Sequence, residues 1–196
     1  MPQKTRIGEI ISEAILVKKL VLEDDAIIAT IASIVQAMVS AYRHEHKVLF
    51  CGNGGSAADA QHLSTELSGR FYLDRPPLDA EALHVNTSFL TATANDFSFE
   101  EVYARLVQAK GKAGDILVAL STSGKSANVV KALQTAKSQG LITIGMTGSL
   151  PGNMDQYCDL LIKIPSINTP RIQEAHILVG HIICELVEKE LFGGKS

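Results

Sequence analysis

Two stretches decide how this chain folds: Lys47-Val48-Leu49-Phe50 running into Cys51-Gly52-Asn53-Gly54-Gly55-Ser56, and Asp115-Ile116-Leu117-Val118-Ala119-Leu120 running into Ser121-Thr122-Ser123-Gly124-Lys125-Ser126. In each, an apolar run with the continuity of a strand buried on both faces meets a turn of Gly and Ser, and a helical pattern follows. Such a strand–turn–helix junction gathers unpaired backbone N–H groups, hydroxyls and the positive end of a helix dipole at one point. That is an anion site, most often for phosphate. Two of them on one sheet edge suggest a small phosphorylated ligand held across the carboxyl ends of parallel strands.

Outward from these turns the chain alternates helix and strand. Strands are expected at 48–51, 82–85, 116–120, 142–146 and 160–164, with helices near 57–68, 98–109 and 127–138 between them. Two helices precede the first strand: one over about 4–20, and one in which Asp24 and Asp25 cap the stripe Ile27, Ile28, Ile31, Ile34, Val35, Met38 and Tyr42. The pattern predicts an α/β fold, a three-layer sandwich around a five-stranded parallel, doubly wound sheet. It reads as one domain over 1–196 with an N-terminal helical segment 1–45. The last helix, about 171–192, is so apolar in its first half that it should be buried nearly all round. With the apolar face of the second helix, it argues for packing between subunits.

Composition sets the outer bounds. The chain has 196 residues, 46% of them hydrophobic, and a net charge of −3, so it offers no basic field for nucleic acid or anionic lipid. Any phosphate must be held locally. Cys51, Cys158 and Cys184 are widely spaced in apolar contexts, which fits reduced core thiols and a cytoplasmic address better than a disulfide framework. The N-terminal stretch is charged and lacks an apolar leader, and no apolar run approaches the length needed to span a bilayer.

Both turns imitate nucleotide motifs. Gly52 to Ala57 fits G-x-G-x-x-A, but no acidic residue closes the next strand where a ribose contact needs one. The second turn ends in Gly124-Lys125-Ser126, yet Ala119 stands where a P-loop has its first glycine, so the wide nucleotide-cradling loop cannot form. Ser121, Thr122, Ser123 and Ser126 instead supply neutral donors enough for one phosphate monoester; helix capping alone accounts for one or two of the four. Beyond the first turn, His62 and Glu66 lie on one helix face. That pair can share a divalent metal, serve as acid and base, or simply be a solvated ion pair. His176, on the apolar last helix, reads as a hydrogen-bonded core residue.

The strings Cys51 to His62, Glu66-Leu67-Ser68-Gly69-Arg70, Ala94-Asn95-Asp96-Phe97, Ser121 to Ser126 and Arg171 to His176, with His181 beyond, resemble the phosphoheptose isomerases of the sugar isomerase (SIS) superfamily over essentially the whole chain. The resemblance implies isomerisation of sedoheptulose 7-phosphate to D-glycero-D-manno-heptose 7-phosphate, toward the heptose of lipopolysaccharide, by a cytoplasmic homotetramer with sites at subunit contacts. It implies substrate contacts at Asn53, Gly54, Gly55, Ser56, Glu66, Asn95, Asp96, Ser121, Thr122, Ser123, Ser126 and Gln173. It also implies a zinc site at His62, Glu66, Gln173 and His181, with Glu66 and His181 as the acid/base pair. The alternative within the same superfamily is a non-catalytic tetramer resembling the DnaA initiator-associating protein, which lacks the counterparts of Glu66 and His181.

Gln173 and His181 are eight residues apart, ~12 Å along a straight helix, whereas metal–ligand bonds are only about 2 Å. Ligands borrowed from a neighbouring chain relieve that strain. The expectation is therefore a site drawn from more than one subunit, with Glu66 and His181 on different chains.

Overall fold

The computed structural model describes residues 3–194. Five parallel strands form one sheet: β1 Val48–Gly52, β2 Ala80–Ala82, β3 Ile116–Leu120, β4 Ile142–Gly148 and β5 Leu160–Ile164, in the order β2-β1-β3-β4-β5. Every residue of β1 and β3 is buried, as their unbroken apolar runs require. Their register pairs Val48 with Ile116 and Gly52 with Leu120, so the two strands end side by side. The chain moves outward from β1 to β2 and then returns past β1 to β3. The gap between β1 and β3 is therefore the switch point of a doubly wound sheet, where ligands bind in such folds.

Helices cover both faces. Val48, Phe50, Ile116, Val118 and Leu120 pack against α2 (Asp25–Arg43), α3 (Gly55–Ser68) and α7 (Thr169–Phe192). The alternate residues Leu49, Cys51, Leu117 and Ala119 pack against α5 (Val102–Lys110) and α6 (Ala127–Ser138). α1 (Gln3–Glu23) leads in, and Asp24 caps α2 by accepting from the amides of Ala26 at 2.9 Å and Ile27 at 3.1 Å.

The structure departs from expectation in five places. The β2 ladder is Ala80–Ala82, earlier than 82–85; Leu83 still donates to the Phe50 carbonyl at 2.9 Å, but the Val85 amide already turns back to Ala82. The turn feeds a helix that the sequence reading omits, α4 (Thr87–Asp96), capped by Asn86 Oδ1 accepting from Phe89 N at 3.0 Å. The helix placed at 98–109 opens as a 3₁₀ turn, Phe99–Glu101, before α5.

α2, at 19 residues, is long and apolar enough to span a membrane by length and composition. Its Ile27, Ile31, Ile34, Val35 and Met38 belong to the core instead. Finally, no residue of α7 from Arg171 to Cys184 is exposed, but the cover comes from α1, α2, α3 and the sheet of the same chain. That cover leaves Ile177, Leu178 and Ile182 only half-buried, short of the all-round burial expected. Among the described residues, α1 gathers the most exposed apolar side chains, with Ile7, Ile11, Ile15, Leu16 and Leu22 exposed; others, such as Tyr72, Phe97 and Ile167, lie outside it.

All three cysteines are free thiols. Burial pushes the thiols of Cys158 and Cys184 up to about 12, and that of Cys51 higher still, which keeps them protonated and unreactive.

Candidate active site

The first turn is clamped from two sides. Tyr103 on α5 donates its hydroxyl to the carbonyl of Gly52. Asn53 exchanges two side-chain hydrogen bonds with Asn128 in the first turn of α6, 2.8 and 2.9 Å long. Gly54 is the N-cap of α3 and brings no side chain to the helix start; the amides of Ser56 and Ala57 bond back to the carbonyls of Asn53 and Gly54 at 3.0 and 3.1 Å, so the turn closes on its own backbone beneath the positive end of the helix. A side chain at Gly55 would put its Cβ 2.5 Å from Gln173 Nε2, so only glycine lets the Gln173 amide lie on the start of α3.

The second turn keeps its hydroxyls free of helix capping. Ser126 is the N-cap of α6 yet makes no side-chain cap bond; its Oγ lies 3.1 Å from Ser121 Oγ. Ser123 accepts from the Lys125 amide at 3.2 Å and is exposed. Thr122 and Ser123 open onto a cleft of about 140 Å³ whose far wall is Ser166, Thr169 and Ile172, at the entry to α7. Four hydroxyls around an uncapped helix N-terminus are neutral donors of the kind that can hold a phosphate, with the helix dipole as the positive element.

Further along α3 stands the titratable cluster. His62 Nε2 is 2.9 Å from His181 Nε2 and 3.1 Å from Glu66 Oε1, and the ligating atoms of His62, Glu66 and His181 all lie within 4.8 Å of one another. Two histidines and a glutamate, partly open to solvent, are the donor set of a catalytic zinc site with a vacant position. The three side chains therefore fit a divalent ion. One chain supplies all three, which overturns the expectation that Glu66 and His181 belong to different chains.

The reason is the parallel packing of α3 on α7. Gln173 meets Gly55 at one end and Gly180 meets Leu63 further along, where a Cβ on Gly180 would come 2.5 Å from both Leu63 methyls. That close approach brings His181 over His62. Gln173, two helical turns earlier, rests on Gly55 and would have to leave it to join the cluster.

The remaining candidates are scattered. Ser56 is buried at the start of α3. Asn95 and Asp96 are exposed at the end of α4, where Asn95 Nδ2 donates to Asp96 Oδ1 at 2.9 Å. His176 is fully buried, with Nε2 3.3 Å from the Thr147 carbonyl, as its core reading required.

A family profile for the SIS domain matches residues 11–148. Phosphoheptose isomerase 2 of Campylobacter jejuni subsp. jejuni is 50% identical over 182 residues, covering 93% of this chain and 90% of the relative. The phosphoheptose isomerase of Clostridium acetobutylicum is 50% identical over 185 residues, covering 94% of each. The chain belongs to the phosphoheptose isomerases of the SIS-domain family. Solved structures agree: the phosphoheptose isomerase of Neisseria gonorrhoeae matches with a TM-score of 0.89 at 36% identity over 95% of this chain and 98% of that one. That of Francisella tularensis gives 0.92 at 33% identity, over 96% and 100%.

Three residues of this phosphoheptose isomerase site escape the sequence reading. Asn128 and Tyr103 hold the first turn, and nothing local marks either as a partner of residues more than fifty positions away. Asp59 precedes His62 by three residues, hence on the same helix face, and that spacing was a usable signal. Its Oδ2 is buried without a hydrogen-bond partner; burial raises its pKa, while His62 and His181 act to lower it.

Proposed function

We propose that this chain catalyses the phosphoheptose isomerase reaction, interconverting sedoheptulose 7-phosphate and D-glycero-D-manno-heptose 7-phosphate, as a single SIS domain over 1–196. The observation that carries the reading is the layout at the switch point: the hydroxyl-rich turn at the start of α6, the backbone turn at the start of α3 beside it, and the His62–Glu66–His181 cluster further along α3. Seven residues separate Gly55 from His62, about 10 Å of helical rise. An extended seven-carbon sugar chain anchored by its terminal phosphate reaches that far. Its C1 and C2 then lie beside Glu66 and His181.

Moving a proton between C1 and C2 through an enediol needs a base, an acid for the oxygens and stabilisation of the enediolate. Glu66 is the one carboxylate of the cluster and takes and returns the carbon-bound proton through its carboxylate oxygens. His181 transfers the proton of the sugar oxygens through a ring nitrogen that does not hold the ion. Ser121, Thr122, Ser123 and Ser126 hold the phosphate, and the backbone from Asn53 to Ser56 and the Gln173 amide orient the chain of hydroxyls. Asn95 and Asp96 contact substrate from α4.

His62, Glu66 and His181 would hold zinc, with Gln173 as the fourth ligand the family pattern supplies. Bound there, the ion would act as a Lewis acid toward the substrate's carbonyl. The exposed apolar residues of α1 support assembly into a homotetramer, and a cytoplasmic address follows from the substrate. The initiator-binding alternative draws no support from the relatives named above.

The test is direct. Purified protein incubated with sedoheptulose 7-phosphate should produce the aldose, followed by NMR, and zinc should raise the rate of chelator-treated protein. Absence of turnover with and without zinc overturns the reading.

A further inference from the structure

One buried ion pair ties the segment after α3 to α7. Arg75 Nε lies 2.8 Å from Glu188 Oε2, with 1% and 2% of the two side chains exposed. Both partners are satisfied on every side. Glu188 accepts from the backbone amides of Phe71 at 2.9 Å, Tyr72 at 2.7 Å and Leu73 at 2.8 Å. Arg75 donates through Nη2 to the carbonyl of Glu66 at 3.0 Å, and through Nη1 to those of Leu67 at 2.9 Å and Pro76 at 3.0 Å. Burial alone would raise the Glu188 carboxyl; the three amides and Arg75 outweigh it and hold the group below the usual carboxylate range.

A buried ion pair is weak evidence for stability, because desolvation offsets the attraction. What distinguishes this one is what it connects. The carbonyls of Glu66 and Leu67 fall in the last turn of α3 and have no partners within the helix, so Arg75 serves as its C-terminal cap. Glu188 stands on α7 seven residues beyond His181. Phe71, whose amide Glu188 holds, has its ring centroid 5.9 Å from that of His181. The two helices that carry the cluster are thus locked together just past it.

We propose that Arg75 and Glu188 are positioning residues for the isomerase, fixing the Glu66 carboxylate against His181 and His62 without touching substrate. This rests on the acid/base reading of Glu66 and His181. A displacement of about 1 Å at reacting groups can cost 10²-fold in rate, and loss of an outer partner of metal-ligating side chains typically costs 10- to 100-fold in metal affinity.

The experiment compares Arg75→Lys, which keeps the charge but loses the planar fork, with Glu188→Gln, which keeps an acceptor for the amides but loses the charge. Both should lower kcat by about 10- to 100-fold while KM and the affinity for inorganic phosphate, set at the turns after β1 and β3, stay within about twofold. Zinc affinity, measured with a competing chelator and no substrate, should fall by about 10- to 100-fold. Millimolar guanidinium should restore part of the lost kcat in Arg75→Ala. A fall in thermal stability with kcat and zinc affinity unchanged makes the pair merely structural and overturns the proposal. So does loss of the fold in Arg75→Lys, which would make the pair a requirement of folding. Glu66→Gln, run in parallel, separates the two readings. If it keeps wild-type kcat, the acid/base assignment itself has failed; if it is inactive while Arg75→Lys keeps kcat, only the positioning role has.

Discussion

Asn53 and Asn128 hold each other by two reciprocal amide hydrogen bonds, 2.8 and 2.9 Å long, across the switch point between β1 and β3. Asn128 is buried, and its Oδ1 also accepts from the Val129 amide at 2.9 Å. One donor and one acceptor of the Asn53 side chain are therefore engaged by Asn128, and this fixes the backbone of the first turn. Asn128→Asp sets a carboxylate oxygen against Asn53 Oδ1. An unsatisfied buried group costs about 1–3 kcal/mol, so inorganic phosphate should bind about 5- to 100-fold more weakly at neutral pH. Protonated, the same aspartate donates to Asn53 Oδ1, so the deficit relative to wild type should shrink as the pH falls. Calorimetric titrations across pH 5 to 8 check this; a pH-independent deficit would show that the reciprocal pair does not set the turn.

The second turn is testable through its hydroxyls. Ser126 occupies the N-cap of α6 without capping it, so its removal should not unwind the helix. Ser123→Ala and Ser126→Ala should each weaken binding of phosphate and substrate by about 1.5–3 kcal/mol, the range for hydrogen bonds to a charged group, with unchanged circular dichroism. Unchanged phosphate affinity in both variants would reduce the turn to a connection between β3 and α6.

These relationships mark how far the sequence could be read. β3 and β5 fall where their apolar runs predict: β3, buried throughout, leaves a continuous signal between polar breaks, and β5, at the sheet edge, buries Ile162 and Ile164 and breaks its run only at Lys163. β2 has only three residues, and its apolar neighbours Leu83 and Val85 belong to the turn, so its signal was displaced. α4 hides because Thr87, Thr91 and Thr93 are indifferent helix formers and it buries only Thr93. At the site, the four-residue spacing of His62 and Glu66 is local and legible. The arrival of His181 depends on Gly180 nesting against Leu63, a tertiary contact with no local trace. Arg75 and Glu188 are likewise joined only by the fold.

His176 provides a pH-dependent contribution to stability. Burial draws its pKa down from the ordinary histidine value to about 4, against a weaker opposing hydrogen bond to the Thr147 carbonyl. In the unfolded chain it titrates near 6.5, so between these values the unfolded state binds a proton that the folded state refuses. Stability is therefore full above about pH 6.5 and declines as the pH falls toward 4, by about 3 kcal/mol in all. Urea midpoints at pH 7 and 4.5 should show this decline in the wild type and a shallower one in His176→Gln, which cannot titrate. Identical pH slopes would mean that His176 stays neutral in both states or is charged in both.

The chain of origin of the acid/base pair can be decided by mixing subunits. Within one chain, ligating atoms of Glu66 and His181 lie inside the same 4.8 Å cluster as His62, and α3 and α7 are held in register by Gly180 on Leu63 and by Arg75 on Glu188. A Glu66→Gln subunit therefore lacks the base in its own site, and a His181→Ala subunit lacks the acid in its own. In the proposed tetramer, mixing the two gives no site with both residues intact. Co-refolded mixtures, with subunit exchange verified by native mass spectrometry, should remain as inactive as either variant alone. Partial recovery would mean that assembly moves His181 of one subunit onto Glu66 of another, and the parallel α3–α7 pairing would then have to open when subunits meet.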